Sequence, residues 1–267
     1  MLRTLRQTAI NLQRYRYLSW QLVRSNLVGG YKKSFIGLGW MLILPLITVA
    51  TWILLNGAGV VEPGETGIAY PAYVLLSTSI WGFFMEMYRT SSQVLTDRGR
   101  VVVMNSFPYE VLLMEKVIVH LINFSIPLAL NIIVLLIFGV RFHWWSLLLF
   151  PISLLPLLLF GLGIGMVVAV LRVIAVDICT LIDEGMKVLM FLTPVVYAPR
   201  IDQGWLGIFN QFNPLAYLIS FSRELLINSD FYKTTAYFWC ALFCFLFFYL
   251  TLRFYLNFSK RVLERVY

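Results

Sequence analysis

The stretch SLLLFPISLLPLLLFGLGIGMVVAVL, residues 146–171, contains no charged side chain and is followed at once by Arg172. An α-helix needs about 20 consecutive apolar residues to cross a hydrocarbon core about 30 Å thick, so this stretch predicts a transmembrane helix. Gly161, Gly165 and Ala169 recur at every fourth position, which predicts a face of small residues where a second helix packs closely. These glycines do not indicate a dinucleotide loop, because such a loop connects a strand to a helix.

The composition of the whole chain agrees with a membrane location. Its 267 residues are 60% hydrophobic and 13% charged, with a mean hydropathy of +0.81, whereas a soluble domain carries about 25% charged residues. The net charge is +8. The basic residues lie beside apolar runs and form no separate basic domain, so no nucleic acid is expected as a partner. We therefore predict an all-α membrane protein.

The apolar runs predict six transmembrane helices within a domain over residues 35–256, at about 35–55, 69–88, 117–140, 146–171, 178–198 and 236–256. A polar connector, 89–110, separates the second from the third. The N-terminal segment 1–34 and the tail 257–267 are both basic, so the positive-inside rule predicts that both termini are cytoplasmic. The number of crossings must then be even. The apolar segment 205–228 is therefore predicted to stay outside, or to enter the membrane and return.

Residues 5–23 have the pattern of a basic amphipathic helix. Apolar residues, among them Leu22 and Val23, recur on one face, and Arg14 and Arg24 lie largely opposite. This pattern favours a helix that lies in the headgroup plane of an anionic leaflet. Docking of the same face on a partner is the alternative. A mitochondrial transit peptide has a similar composition, but no small-residue cleavage site follows the segment.

The sequence shows no catalytic or metal-binding constellation. His120 and His143 are far apart, and the three cysteines, Cys179, Cys240 and Cys244, lie in apolar stretches without metal-ligand spacing. There is no Gly-Lys dipeptide, which excludes a phosphate-binding loop of the GxxxxGK[ST] type. We therefore predict that this chain is not an enzyme and that any ATP it uses is hydrolysed by another subunit.

The fifth predicted span is unusual because it carries Asp183, Glu184 and Lys187. Lys187 lies four residues after Asp183 and three after Glu184, so these charges are predicted to pair on one helix face. Ionisable groups at membrane depth usually face a bundle interior or a water-filled path. The alternative is a position at the cytoplasmic interface, in the first turns of the helix.

Several short motifs follow one another along nearly the whole chain. In chain order they are Tyr31-Lys32-Lys33-Ser34-Phe35-Ile36-Gly37-Leu38-Gly39-Trp40 with Pro45 downstream, Phe107-Pro108, Gly161 to Ala169 with Arg172 and Asp177-Ile178, Thr193-Pro194-Val195-Val196-Tyr197, and Asn213-Pro214-Leu215 through Arg223-Glu224-Leu225-Leu226. Their order and spacing resemble the ABC-2-type permeases, which are the transmembrane subunits of exporters for O-antigen, capsule and teichoic-acid polysaccharides. Two departures are the lack of an adjacent Arg-Asp pair after the glycine-rich span and an inner connector with few lysines.

This resemblance implies a function in the bacterial cytoplasmic (inner) membrane. The expected complex is a homodimer of permeases with two copies of an ABC ATPase subunit, which carries the ATP and Mg. The expected substrate is an undecaprenyl-type lipid-linked glycan similar to O-antigen. A permease for capsule, teichoic acid, small lipids or drugs is the first alternative. An intramembrane lipid-modifying enzyme is a second, with Asp183 and Glu184 as its candidate acid and base.

The resemblance also implies roles for particular residues. ATPase coupling is expected at Asp97, Arg98, Gly99, Arg100 and Met104. Access of the lipid headgroup is expected at Arg14, Arg16, Arg24, Lys32 and Lys33, since arginine suits phosphate geometry. Short gate helices before the last span are expected to contain Asn213, Pro214, Arg223 and Glu224. Aromatic residues expected to line the path are Tyr31, Trp40, Tyr73, Trp81 and Tyr197.

Overall fold

The computed structural model describes residues 10–11, 13–29, 37–105, 109–199, 204–227 and 231–266, and the regular elements in these ranges are all helical. A short 3-10 turn, Gly37–Gly39, precedes the second helix. The α-helices are α1 (Arg16–Gly29), α2 (Trp40–Gly57), α3 (Tyr70–Asn105), α4 (Tyr109–Ile137), α5 (Trp144–Ser153), α6 (Leu155–Ile174), α7 (Val176–Leu192), α8 (Gly204–Phe212), α9 (Pro214–Ile227) and α10 (Thr234–Val266). The predicted all-α class is confirmed.

Four segments in the described part of the chain are long and apolar enough to cross a membrane: Trp40–Gly57, Val111–Ile137, Trp144–Ile174 and Thr234–Phe258. They coincide with the first, third, fourth and last predicted spans. The second and fifth predicted spans fall on α3, which contains many polar residues, and on α7, which has 17 residues. The protein is thus a multi-pass helical membrane protein.

The core of the bundle is the contact between α3 and α6. A Cβ atom at Gly161 would lie 2.9 Å from the Phe84 carbonyl oxygen, and one at Gly165 would lie 2.5 Å from the Tyr88 carbonyl oxygen. Ala169, on the same face, is fully buried. The predicted small-residue face is confirmed, and α3 is the helix that packs on it. Gly163 faces the other way, where an added Cβ would meet the Phe247 ring of α10 at 2.8 Å.

Two helices are longer than the predicted spans. The helix that begins at Tyr70 continues to Asn105 over 36 residues, about 54 Å at 1.5 Å per residue, so residues 89–105 of the predicted polar connector are helical. The last helix has 33 residues and includes most of the predicted tail. Near Leu154 the fourth predicted span is divided into α5 and α6, with Pro156 in the first turn of α6. Proline at that position removes a helical donor, which explains the break.

The amphipathic N-terminal helix packs on α4 of its own chain. Ser19 and Val23 are buried there, and the Asn26 side-chain amide donates a hydrogen bond to the Glu115 carboxylate of α4. Tyr17 and Trp20 are exposed. The apolar side of this helix therefore serves in part as an intramolecular contact, whereas the sequence favoured a membrane surface for it.

Candidate functional site

A cleft of about 490 Å³ lies between the N-terminal half of α2 and the facing sides of α3 and α4. Two of the predicted path-lining residues, Trp40 and Trp81, are on its walls. The Trp40 side chain is 42% exposed and that of Trp81 is 6% exposed. Pro45 of α2 also lines this cleft. Pro45 lies inside α2, and an interior proline is a usual cause of a helix kink.

Most of the hydroxyl groups on the cleft walls are already bonded to the backbone of their own helix. Thr48 donates to the Leu44 carbonyl oxygen at 3.0 Å, and Ser79 donates to the Leu75 carbonyl oxygen at 2.7 Å. The ring of His120 packs against Phe83, with 5.3 Å between the ring centroids. The walls therefore combine apolar and aromatic surface with a small number of polar groups, the usual composition of a ligand pocket.

Two other predicted path-lining residues, Tyr73 and Tyr197, lie in a second cluster formed by the start of α3, the turn after α7, and α8. The Tyr73 hydroxyl donates to the Tyr197 carbonyl oxygen at 2.8 Å, and the Tyr70 hydroxyl donates to the Val196 carbonyl oxygen at 3.2 Å. The Tyr197 hydroxyl accepts a hydrogen bond from Asn210 at 3.1 Å. The two bonds donated by Tyr70 and Tyr73 satisfy backbone carbonyl groups of the turn that follows α7.

Arg223 of α9 is a buried cation in this same cluster, with 1% of its surface exposed. Its guanidinium donates to the Pro194 carbonyl oxygen at 2.9 Å and to the Ser77 hydroxyl at 3.2 Å. Its central carbon lies 4.3 Å from the centroid of the Tyr73 ring, within the range of a cation–π contact. One side chain thus connects α9 to α3 and to the turn after α7.

Asn213, Pro214 and Glu224 fix the ends of α9. The Asn213 side-chain oxygen accepts the backbone N–H of Leu215 at 3.0 Å, as an N-cap does, and its amide donates to the Thr193 hydroxyl at 2.9 Å. Pro214 occupies the first helical position, where its fixed φ suits a helix start. The Glu224 carboxylate accepts the backbone N–H of Tyr232 at 2.6 Å. Of the four predicted gate residues, Asn213 and Arg223 thus bond to residues 193 and 194 after α7, and Glu224 bonds to the segment before α10.

A third polar junction connects three helices. Arg172, at the end of α6, contacts both oxygens of Asp183 on α7 at 2.9 Å, and the Tyr88 hydroxyl of α3 donates to Asp183 at 2.6 Å. Lys187 pairs with Glu184 as predicted, but Asp183 pairs with Arg172. The exposed side-chain fractions are 12% for Arg172 and 31% for Asp183.

The remaining predicted site residues lie at the ends of helices or outside the described residues. Asp97 is exposed on α3, and Arg98, Gly99, Arg100 and Met104 follow it on the last turns of the same helix. The arginines at positions 14, 16 and 24 are exposed on or just before α1. Tyr31, Lys32 and Lys33 lie outside the described residues. Among the described residues, no group of three His, Cys, Asp or Glu side chains is placed to hold a metal ion.

Sequence reasoning missed Glu115 and Tyr88. Glu115 is fully buried, and a carboxylate next to an apolar run was an available signal, because such a group requires a partner. Tyr88 gave no signal, since a tyrosine near a span end is usually interfacial. Only the packing of α3 against α6, and of α6 against α7, brings its hydroxyl to Asp183.

Three curated proteins are similar to this chain. An O-antigen export system permease protein RfbA from Myxococcus xanthus is 26% identical over 186 residues, which is 70% of each chain. Two proteins of the same name from Klebsiella pneumoniae are 23% and 21% identical over 204 residues, about 74% of this chain and 75% of theirs. No family model matches the sequence. The resemblance to polysaccharide-exporting permeases is thereby confirmed over most of the chain.

Proposed function

We propose that this chain is the transmembrane subunit of an ABC transporter that exports a lipid-linked, O-antigen-like polysaccharide across the cytoplasmic membrane. The observation that carries this proposal is the similarity to three O-antigen export permeases over about 70% of the chain, together with the ordered motifs named above. The abundance of apolar helices and the lack of a GxxxxGK[ST] sequence support a transport subunit that depends on a separate ATPase.

The proposed topology has six crossings and both termini in the cytoplasm. The four apolar segments support four of the crossings, and α3 and α7 supply the other two. Most of the 21 lysines and arginines then fall on the cytoplasmic side, as the positive-inside rule requires. The short helices α8 and α9, with 9 and 14 residues, are each too short to cross and fit re-entrant gate helices.

The end of α3, residues 97–104, is the proposed contact with the ATPase. Because α3 is about 54 Å long and the hydrocarbon core is about 30 Å thick, its last turns extend beyond the membrane, on the cytoplasmic side in this topology. Two ATPase subunits carrying ATP and Mg would bind a homodimer of this chain there. Movement of the end of α3 is proposed to change the junction of Tyr88 with Asp183 and thus the position of α7.

The exposed arginines near α1 are proposed to meet the pyrophosphate of the lipid anchor. Arg16 and Arg24 lie on the same helix as exposed Tyr17 and Trp20. Aromatic residues prefer the headgroup level of a bilayer, and arginine binds phosphate oxygens in a bidentate manner. The hydrogen bond between Asn26 and Glu115 holds this helix against α4.

The coupling proposal is tested by reversing two charges at the end of α3. The double variant Arg98→Glu, Arg100→Glu in the purified complex should abolish glycan-stimulated ATPase activity while membrane insertion stays normal. Arg253→Glu is the control, because Arg253 is an exposed arginine on α10, away from the end of α3. Normal stimulation in the double variant would refute the coupling assignment.

A further inference from the structure

Three polar side chains on the cleft between α2, α3 and α4 make no hydrogen bond with any described residue. Glu86 is on α3, and His120 and Asn123 are one turn apart on α4; all three line the cleft. The Nε2 atom of His120 is buried and has no hydrogen-bond partner in the described part of the chain. This distinguishes the three from Thr48 and Ser79 on the same walls, whose hydroxyls are bonded to the backbone.

The position of these groups makes an occupant of the cleft energetically favourable. His120 and Asn123 lie within the apolar segment Val111–Ile137, where polar groups without partners are costly. Pro127, which also lines the cleft, has no N–H to donate to the Asn123 carbonyl four residues earlier, so that carbonyl loses its helical donor. A ligand with several hydroxyl groups would satisfy these atoms together.

The charges on the cleft decide which part of a lipid-linked glycan suits it. Glu86 is an acid, and the described residues on the walls include no lysine or arginine, so a phosphate group is disfavoured there. A carboxylate accepts hydrogen bonds, and an amide and a neutral imidazole each donate and accept, which suits sugar hydroxyls. The negative ring faces of Trp40 and Trp81 suit the C–H faces of a sugar ring.

An organic cation is the competing ligand. It would interact with Glu86 and with the faces of the tryptophans, but it would leave His120 and Asn123 without hydrogen bonds. The full set of polar groups therefore favours a sugar. The cleft volume of about 490 Å³ lies within the range of about 300–1,000 Å³ that small-molecule sites occupy.

We propose that this cleft binds a neutral glycosyl unit through Glu86, His120 and Asn123, with Trp40 and Trp81 against the sugar ring. The inference rests on the proposed export function and specifies the part of the substrate that this surface recognises. It also assigns the sugar to a cleft within one protomer, separate from the arginines near α1 that meet the lipid phosphates.

The first test uses the unmodified chain in lipid nanodiscs and radiolabelled octyl glucoside as the probe, with binding to empty nanodiscs subtracted. Two unlabelled competitors have the same alkyl tail and different heads: octyl tetraethylene glycol ether and octyltrimethylammonium. The sugar site is supported if glucoside binding is saturable and unlabelled octyl glucoside displaces the probe better than either competitor does. Equal displacement by the glycol ether indicates a site for the alkyl tail, and stronger displacement by the ammonium compound indicates a cation site; either result overturns the proposal.

The second test uses variants that keep the shape of the cleft. His120→Phe retains an aromatic ring beside Phe83, and Asn123→Leu retains the side-chain volume; each should weaken glucoside binding about tenfold, the effect of losing one to two hydrogen bonds. Thr48→Val is the matched control and should bind as the unmodified chain does, since the Thr48 hydroxyl already donates to the Leu44 carbonyl. Unchanged affinity in both variants would overturn the assignment. The competition series needs no variant and remains valid if one of them fails to fold.

Failure of this inference can be told apart from failure of the proposed function, because glucoside binding requires no ATPase. Absence of saturable binding in a chain that still exports glycan with its ATPase would refute the cleft assignment alone. Saturable binding in a chain that recruits no ATPase would support the cleft and refute the export function.

Discussion

Replacing Gly165 by alanine should loosen the contact between α3 and α6 that forms the core of the bundle. The new Cβ atom would overlap the Ser91 hydroxyl and lie 2.5 Å from the Tyr88 carbonyl oxygen. A side chain can rotate away, but the carbonyl belongs to the backbone of α3. The two helices must therefore move apart along their buried interface.

The size of the effect follows from two opposing contributions. Overpacking of a buried site costs about 1–3 kcal/mol, and alanine in place of glycine within a helix contributes about 0.5–1 kcal/mol of stabilisation. We expect Gly165→Ala to lower the free energy of unfolding by about 1–2 kcal/mol. Gly161→Ala should cost less, because its nearest backbone atom, the Phe84 carbonyl oxygen, is 2.9 Å away. Gly185→Ala has no neighbouring atom within 4 Å and should be neutral or stabilising.

The assay is thermal denaturation of the three variants and the unmodified chain in one detergent. The quantity measured at each temperature is the fraction of protein that remains monodisperse on size exclusion. The expected order of melting temperature is Gly185→Ala at or above the unmodified chain, then Gly161→Ala, then Gly165→Ala. A Gly165→Ala variant that melts with Gly185→Ala would refute the close packing of α3 on α6.

Three further substitutions test the polar junctions. Asp183→Asn removes the counter-charge of the largely buried Arg172 and should cost about 1–3 kcal/mol in a chemical denaturation series. Glu184→Gln, at an exposed pair, should change stability by less than about 1 kcal/mol. Equal effects of the two substitutions would contradict the junction. Asn213→Ala removes the N-cap of α9 and should cost about 1 kcal/mol. We expect faster proteolysis between α8 and α9, and unchanged cleavage there would argue against the cap. Arg223→Met leaves carbonyl and hydroxyl acceptors without their donor and should cost about 2 kcal/mol or more in thermal denaturation; a melting temperature equal to that of the unmodified chain would contradict the buried cluster.

The sequence was sufficient for the helical class and for the spans whose apolar runs are unbroken. The run at 146–171 predicted both a crossing and a small-residue face, because small side chains at four-residue spacing have one common structural use in membranes. The face was found, with Tyr88 and Phe84 of α3 packed on it. The even number of crossings predicted that the apolar segment 205–228 stays outside or re-enters. The structure divides its described residues into the short helices α8 and α9, with Pro214 at the start of α9, and the location of this segment relative to the membrane stays a prediction.

The sequence was not sufficient where a side chain has partners on other helices. Local spacing paired Lys187 with both Asp183 and Glu184, but Asp183 bonds to Arg172, eleven residues away in the chain. Tyr73 and Tyr197 were expected only to line the path, and the structure shows the Tyr73 hydroxyl donating a hydrogen bond to the Tyr197 carbonyl oxygen. Such partners depend on how helices pack, and helical periodicity reports only the face on which a residue lies.

The most direct test of the central claim is purification of the tagged chain from its native membrane in mild detergent, followed by identification of the chains bound to it. We expect a stoichiometric partner that carries nucleotide-binding motifs and whose ATP hydrolysis is stimulated by lipid-linked glycan. A homomer without any ATPase, obtained in several detergents, would contradict the assignment of this chain as the transmembrane subunit of an ABC exporter.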